Sequence, residues 1–263
     1  MSGALLIASG LRKAFRRGES RFAALDGVEF QLDTGETLAL VGPSGSGKST
    51  LARVVMRILE PDSGSLRFGG EDLLALRGAR LRALRVKLQM VFQDPLSAFN
   101  PRATVERVLD DPLRIHAIAS RSLRPRAIGA LLERVGLPDL LRNRHIHEVS
   151  GGQRQRVAIA RALATNPDLI VLDEALSALD VSVRAGIIDL LADLQREKRI
   201  AYLFITHDLA VVQKIAHRVA VMDHGRIVET GDAHGVIASP ASEMGKALVA
   251  ASMKLPEQQE HAE

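Results

Sequence analysis

The sequence predicts an α/β fold with a mainly parallel sheet core, a β-rich N-terminal part of antiparallel character and an α-helical subdomain inserted in the middle. Three observations support this. Residues 37–41, 201–205 and the wholly apolar run 169–172 read as strands, and helical patterns separate them. The first 70 or so residues read as short strands punctuated by turn signals. Between residues 104 and 165 the periodicity is mostly helical, broken at Pro112, Pro125 and Gly136-Leu137-Pro138. One domain over residues 1–263 is expected, with a helical subdomain at about 94–160.

Residues 5–8 form a short apolar run, and residues 24–32 end at the turn signal Asp33-Thr34-Gly35. The strand at 37–41 runs directly into a Gly-rich stretch and a helix from about Lys48. Pro61-Asp62-Ser63-Gly64 predicts a turn into a strand at 65–68. Leu73, Leu76, Leu81 and Leu84 recur at helical spacing and predict a helix over 73–87. Its Arg77, Arg80, Arg82, Arg85 and Lys87 read as a solvated face, since no aromatic residue interleaves them as single-strand stacking would require. Beyond a strand at 88–92, helices are expected at 183–195 and 209–216 and a hairpin at 218–222 and 226–229. The polar tail, 256–263, is expected to be disordered.

Composition bounds the chemistry. With 46% hydrophobic and 25% charged residues, a chain of this kind buries a core and is not mainly disordered. A net charge of +4 is too mild to indicate nucleic acid by itself and suits a protein working near an anionic membrane. The absence of Cys excludes disulfides, thiolate metal sites and a Cys nucleophile. The first residues lack the charge and apolar length of a signal peptide, and no apolar stretch approaches the ~20 residues of a membrane span. A role at a membrane then requires docking onto another protein.

Gly42-Pro43-Ser44-Gly45-Ser46-Gly47-Lys48-Ser49, followed by Thr50, fits the P-loop pattern in the required strand-to-helix context. Glycines let successive N–H groups turn toward phosphate oxygens, and the helix adds its positive end. Lys48 is expected to reach the β- and γ-phosphates, and the Ser49 hydroxyl to ligate Mg²⁺. Residues 169–172 end in Asp173 and Glu174, the Walker B arrangement. Asp173 is assigned to Mg²⁺ and Glu174 to polarising the attacking water. The apolar strand with two acids is a weak signal alone, but a strong one beside an upstream P-loop.

Val149-Ser150-Gly151-Gly152-Gln153-Arg154-Gln155-Arg156 resembles the signature sequence of ABC ATPases. Physically it is a second anion-binding helix start. The resemblance extends to Gln93 as the Q-loop glutamine at the metal and water, to Ser177-Ala178-Leu179-Asp180 as the D-loop, and to His207 as the histidine that senses the γ-phosphate. Phe15 matches the position whose ring stacks on adenine, with Phe22 a nearby rival and a core position the alternative. The resemblance implies a P-loop NTPase (RecA-like) core that hydrolyses ATP with Mg²⁺. It implies a head-to-tail pair of ATPase subunits, with each ATP between one P-loop and the other subunit's Ser150, Gly151, Gly152 and Gln153.

The segment 88–102 is similar to ATPases of the peptide/nickel uptake systems. Asp173-Glu174-Ala175-Leu176-Ser177 departs from the commoner D-E-P-T-S toward the form of nickel-import ATPases, as does a short end without Cys. The implied partners are a second ABC ATPase subunit, identical or paralogous, two integral-membrane permease subunits and, indirectly, an extracytoplasmic solute-binding protein, with no nucleic acid. The implied place is peripheral, on the cytoplasmic face of the inner membrane. An export or lipoprotein-release ATPase and a soluble ABC protein acting on nucleic acid are the alternatives. Phe99, with Leu96 and Pro101 beside it, reads either as an anchor for a permease element or as packing within the helical subdomain.

Overall fold

The computed structural model describes residues 3–18 and 20–253. The tail expected to be disordered, 256–263, lies outside the described residues. The chain divides into two compact units, one made of Met1–Leu76 with Ala201–Glu263 and the other of Arg77–Ile200.

The first unit opens with two long strands, β1 (Ala4–Arg17) and β2 (Ser20–Asp33), paired antiparallel. Strand β3 (Thr37–Val41), helix α1 (Lys48–Val55), β4 (Ser63–Phe68) and β5 (Glu71–Asp72) follow. Strands β2, β1, β4 and β5 form an antiparallel sheet in that order. Asp62 ties the turn before β4 to β1, accepting from Lys13 Nζ at 2.8 Å and from the Ala14 N–H at 2.8 Å. The Lys13 ammonium and then the Ala14 N–H hold its carboxyl below the usual carboxylate range.

In the second unit, helix α2 (Gly78–Arg85) leads to strand β6 (Leu88–Val91), then to helices α3 (Val105–Ile115), α4 (Arg124–Arg134) and α5 (Gly151–Leu163). Strand β7 (Leu169–Asp173) runs parallel to β6, and helix α6 (Val181–Lys198) closes the unit. Helix α3 buries Val105, Val108, Leu109, Pro112 and Leu113, a single apolar stripe. Its entry is pinned to the approach to α5. Thr104 forms a β-bridge with His145, Val105 N–H donates to Arg144 C=O at 3.0 Å, and Ile146 N–H donates to Ala103 C=O at 3.0 Å. The stacked rings of His145 and His147 each hydrogen-bond a carbonyl across this neck, Arg102 and Pro101 respectively, both at 3.2 Å.

The chain re-enters the first unit at β8 (Ala201–Ile205), followed by α7 (Leu209–Ile215), β9 (Arg218–Asp223), β10 (Arg226–Asp232), α8 (Ala233–Ala238) and α9 (Glu243–Met253). Within this unit β10, β9, β3 and β8 are neighbours in that order. Strand β3 is parallel to both β8 and β9, while β9 and β10 form the expected hairpin. Every residue of β3 and β8 is buried, which is why these runs are almost wholly apolar and do not alternate. Val41, Val212, Val219 and Val221 form a core that Met244 and Leu248 of α9 help cover. Glu229 fixes the start of α9 by accepting from the N–H groups of Ala241 at 2.8 Å and Ser242 at 2.9 Å.

Two sequence readings are changed or decided here. The helix expected over 73–87 is confined to α2; Leu73 and Leu76 are buried outside it. There the Asp72 carboxylate accepts from Leu74 N–H at 2.9 Å and Ala75 N–H at 3.3 Å, and Gly78 takes φ +54°, so a turn replaces the first helical turn. Helix α5 begins at Gly151, capped by Ser150, at the helix start that the 149–156 motif predicts. Phe99 is buried, with the Arg161 guanidinium 5.6 Å from its ring centre, so the structure gives it the packing role rather than that of an exposed anchor.

Phe204 lies in the buried strand β8 and is 1% exposed. Phe204→Ala is expected to lower stability by about 3–5 kcal/mol, read as a fall in the urea midpoint with little change in its slope.

Candidate functional site

In the first unit the parallel register brings three strand ends to one level. Leu40 is opposite Ile205 and Val41 is opposite Val221, so the chain leaves β3 at Gly42 and β8 at Thr206-His207, with Met222 of β9 beside them. The loop 42–47 turns tightly against this edge. A Cβ on Gly42 would lie 2.1 Å from Met222 C=O, and one on Gly47 would lie 2.2 Å from Ala24 C=O. Both glycines have positive φ, +153° and +108°, so contact and conformation each demand glycine. Gly225 N–H donates to Ser46 C=O at 2.9 Å, clamping the loop to the β9–β10 turn.

Lys48 starts α1 and is buried. Its ammonium donates to the carbonyls of Gly42 and Pro43, both at 2.8 Å, and contacts Ser46 Oγ at 3.3 Å. The positive charge therefore lies within the curve of the loop. Gly47 caps α1 without a side-chain acceptor, so no side chain competes for the N–H groups that point out of the helix start. Ser49 and Thr50 follow on the helix, half-buried, and Ser44 and Gly45 form the exposed tip. His207 is exposed at the end of β8, where Asp208 caps α7 by accepting from Ala210 N–H at 2.9 Å and Val211 N–H at 3.2 Å. Phe15 and Phe22 are directly opposite each other across β1 and β2 and are 41% and 51% exposed. Neither is a core residue, and the two aromatic positions expected from the sequence form one surface pair.

In the second unit Val91 pairs with Leu172, so Gln93 leaves β6 level with Glu174 leaving β7. Gln93 Nε2 donates to Ser177 Oγ at 3.4 Å, and Ser177 Oγ donates to Glu174 C=O at 2.9 Å. Glu174 has φ +48°, in the left-handed region that a glutamate avoids. Strain of this kind, about 1–3 kcal/mol, persists where surrounding contacts enforce it and collects at functional sites. Asp173 precedes it, half-buried at the end of β7.

The start of α5 belongs to the same unit. Ser150 and Gln153 form a reciprocal capping box, with Gln153 N–H to Ser150 Oγ at 3.2 Å and Ser150 N–H to Gln153 Oε1 at 3.0 Å. Gly152 faces α6 so closely that a Cβ there would lie 2.5 Å from Val183 Cγ1. Asp180 caps α6 by accepting from Val183 N–H and Ser182 Oγ, each at 2.8 Å; Val183 first, then Ser182, hold its carboxyl below the usual range. The residues at 150–153 and at 180 thus sit at two helix starts that touch. Sequence reasoning gave no individual role to Ser177, Met222, Ala24 or Val183. Each acts through a contact distant in sequence, and Ser177 lay within a recognised motif, the D-loop.

A strand–loop–helix phosphate cradle beside parallel strands defines the P-loop NTPase fold. A family model described as ABC transporter matches residues 25–177. The glutathione import ATP-binding protein GsiA of Escherichia coli (strain K12) is 50% identical over 228 residues, covering 87% of this chain and 37% of that protein. A probable peptide ABC transporter ATP-binding protein of Sinorhizobium fredii is 48% identical over 259 residues, covering 96% of this chain and 73% of that protein. The chain spans about two fifths of the length of the glutathione-import relatives it matches. Among solved structures, cbiO1 from Clostridium perfringens, part of the ABC transporter complex cbiONQ, superposes with a TM-score of 0.79 at 29% identity over 96% of each chain. An ATP-binding cassette dimer in a post-hydrolysis state, bound to ADP and Pi, gives 0.79 at 28% identity over 87% of this chain and 98% of that one. The chain belongs to the ABC transporter family, in its class of ATP-binding cassette ATPases.

Gly152→Ala is expected to overpack the contact with Val183 and lower stability by about 1–3 kcal/mol. Adding Val183→Ala should restore most of the lost thermal midpoint; a double variant no more stable than the single one argues against this contact.

Proposed function

We propose that the chain is the ATP-hydrolysing subunit of an ABC importer. The observation that carries this reading is the hydrogen-bonded run Gln93–Ser177–Glu174, ending at a strained glutamate, in a chain that also has the Lys48 phosphate loop. The loop N–H groups and Lys48 bind the phosphates, and the surface pair Phe15 and Phe22 offers a stacking face for adenine. Glu174 orients a water and accepts its proton as the water oxygen bonds to the γ-phosphorus. The bond to the bridging oxygen breaks, leaving ADP and inorganic phosphate. His207 contacts the γ-phosphate. The backbone strain at Glu174 fits a carboxylate held in position before substrate arrives.

Ser49, Gln93 and Asp173 bring hydroxyl, amide and carboxylate oxygens, hard donors that suit Mg²⁺. When bound, the ion neutralises charge on the phosphates. Ser150, Gly151, Gly152 and Gln153, at an exposed or half-buried helix start, serve the nucleotide of a second ATPase subunit, with Asp180 beside them.

No helix among the described residues is long and apolar enough to cross a membrane. We place the chain peripherally at the cytoplasmic face of the inner membrane, on two permease subunits fed by a solute-binding protein. The cargo is a small peptide or a nickel or metal chelate. The names of the relatives, for glutathione import and peptide transport, support the peptide side.

Two experiments test the catalytic reading. Glu174→Gln should retain ATP binding and lose about 10²–10⁴-fold in turnover, measured as phosphate release at saturating ATP; near-normal turnover removes the base role. Phe15→Ala and Phe22→Ala should weaken ATP binding, by about 1–3 kcal/mol for whichever ring stacks on adenine, while tripolyphosphate binding stays unchanged. Loss of both affinities together points to a folding effect instead.

A further inference from the structure

The connection between α3 and α4 has a composition that the nucleotide site does not explain. Residues 114–126 read Arg-Ile-His-Ala-Ile-Ala-Ser-Arg-Ser-Leu-Arg-Pro-Arg, with four arginines, one histidine and no acidic residue. The apolar side chains here face outward: Ile115 is 64% exposed, Ile118 45% and Leu123 57%. The segment is held in shape. Ile118 N–H donates to Leu113 C=O at 2.9 Å, and Leu123 and Arg124 N–H donate to Ser120 C=O at 3.0 and 3.1 Å. Arg124 reaches back to Asp110 on α3 at 3.2 Å, and Arg114 pairs with Asp111 at 2.9 Å.

These two ion pairs fix the tip and leave its other charges outward. Arg121 and Arg126 are exposed, and no carboxylate holds either among the described residues. Arg107, Arg114, Arg121 and Arg124 converge on an open concavity of about 440 Å³ that also takes in Glu106 and Asp110. Exposed aliphatic side chains beside Arg121 and Arg126, which no carboxylate holds among the described residues, combine the two attractions of an interfacial membrane segment. The aliphatic groups enter the headgroup boundary, and the guanidinium groups pair with lipid phosphates. A soluble protein partner would bury the apolar groups equally well. It does not account for a run of 13 residues without one negative charge.

We propose that the α3–α4 tip, residues 114–126, docks directly onto anionic phospholipid headgroups at a bilayer surface. This uses none of the nucleotide-site residues and stands apart from the ATPase reading. The test is flotation of the full chain with phosphatidylcholine vesicles, with and without phosphatidylglycerol. Binding is expected only with phosphatidylglycerol and should weaken as salt rises. Arg121→Gln and Arg126→Gln should each lower vesicle affinity on the order of fivefold. A separate Ile115→Ser, Leu123→Ser variant should also bind more weakly, with thermal midpoint and nucleotide affinity unchanged in both sets. Absence of binding to phosphatidylglycerol vesicles overturns the proposal, as does equal binding by parent and variants. Competition by free inorganic phosphate overturns it too, since that marks a discrete anion pocket and not a surface. Binding of an acidic peptide or RNA at this tip in place of vesicles assigns it to another class of partner and has the same consequence.

Discussion

The parallel register of the strands is the constraint on which the functional geometry depends. Parallel strands present their carboxyl ends on one side, so whatever follows them in sequence is delivered to a common edge. In the first unit that edge receives Gly42 from β3 and His207 from β8, beside Met222 of β9. In the second it receives Gln93 and Glu174 from two. A shift of one residue in the β6–β7 pairing would separate Gln93 from Glu174. It would also exchange the faces of two short strands that bury Leu88, Val91 and residues 169–172, so the core and the site are fixed by the same pairing.

Close approach is the second requirement. The phosphate loop tolerates no Cβ at Gly42 or Gly47, because the carbonyls of Met222 and Ala24 already occupy that space. Gly152 meets the same restriction from a side chain, Val183, where α5 and α6 start side by side. Small residues in these motifs therefore do two things. They free N–H groups for an anion, and they let one backbone lie against another. The strain at Glu174 belongs with them, since Ser177 holds the carbonyl of that residue while the chain turns toward α6.

What the sequence revealed and what it hid divide along a physical line. Features with a local cause were legible: the buried strands, the turn after Gly42, the β9–β10 hairpin and the order of the motifs. Local hydrogen bonding also caused a misreading: Asp72 stopped a helix that leucine spacing favoured. The contacts Gln93–Ser177, Gly152–Val183 and Gly47–Ala24 join residues far apart in the chain, and periodicity carries no information about them. Phe15 and Phe22 looked like competitors because the sequence does not show register; the antiparallel ladder makes them neighbours.

The neck that joins residues 101–105 to 144–147 bears on how this chain varies. The bridge at Thr104 and His145, with the paired histidine contacts, closes the intervening stretch into a loop anchored at its base. Lengthening a loop whose ends are already fixed adds little entropy penalty, because that penalty grows only with the logarithm of loop length. Substitutions and insertions at the far end of α3 and α4 are thereby insulated from the start of α5 and from the glutamine after β6. The stretch behaves as a tethered module: its tip can be lengthened at small entropic cost while the bridge at its base keeps the same dimensions.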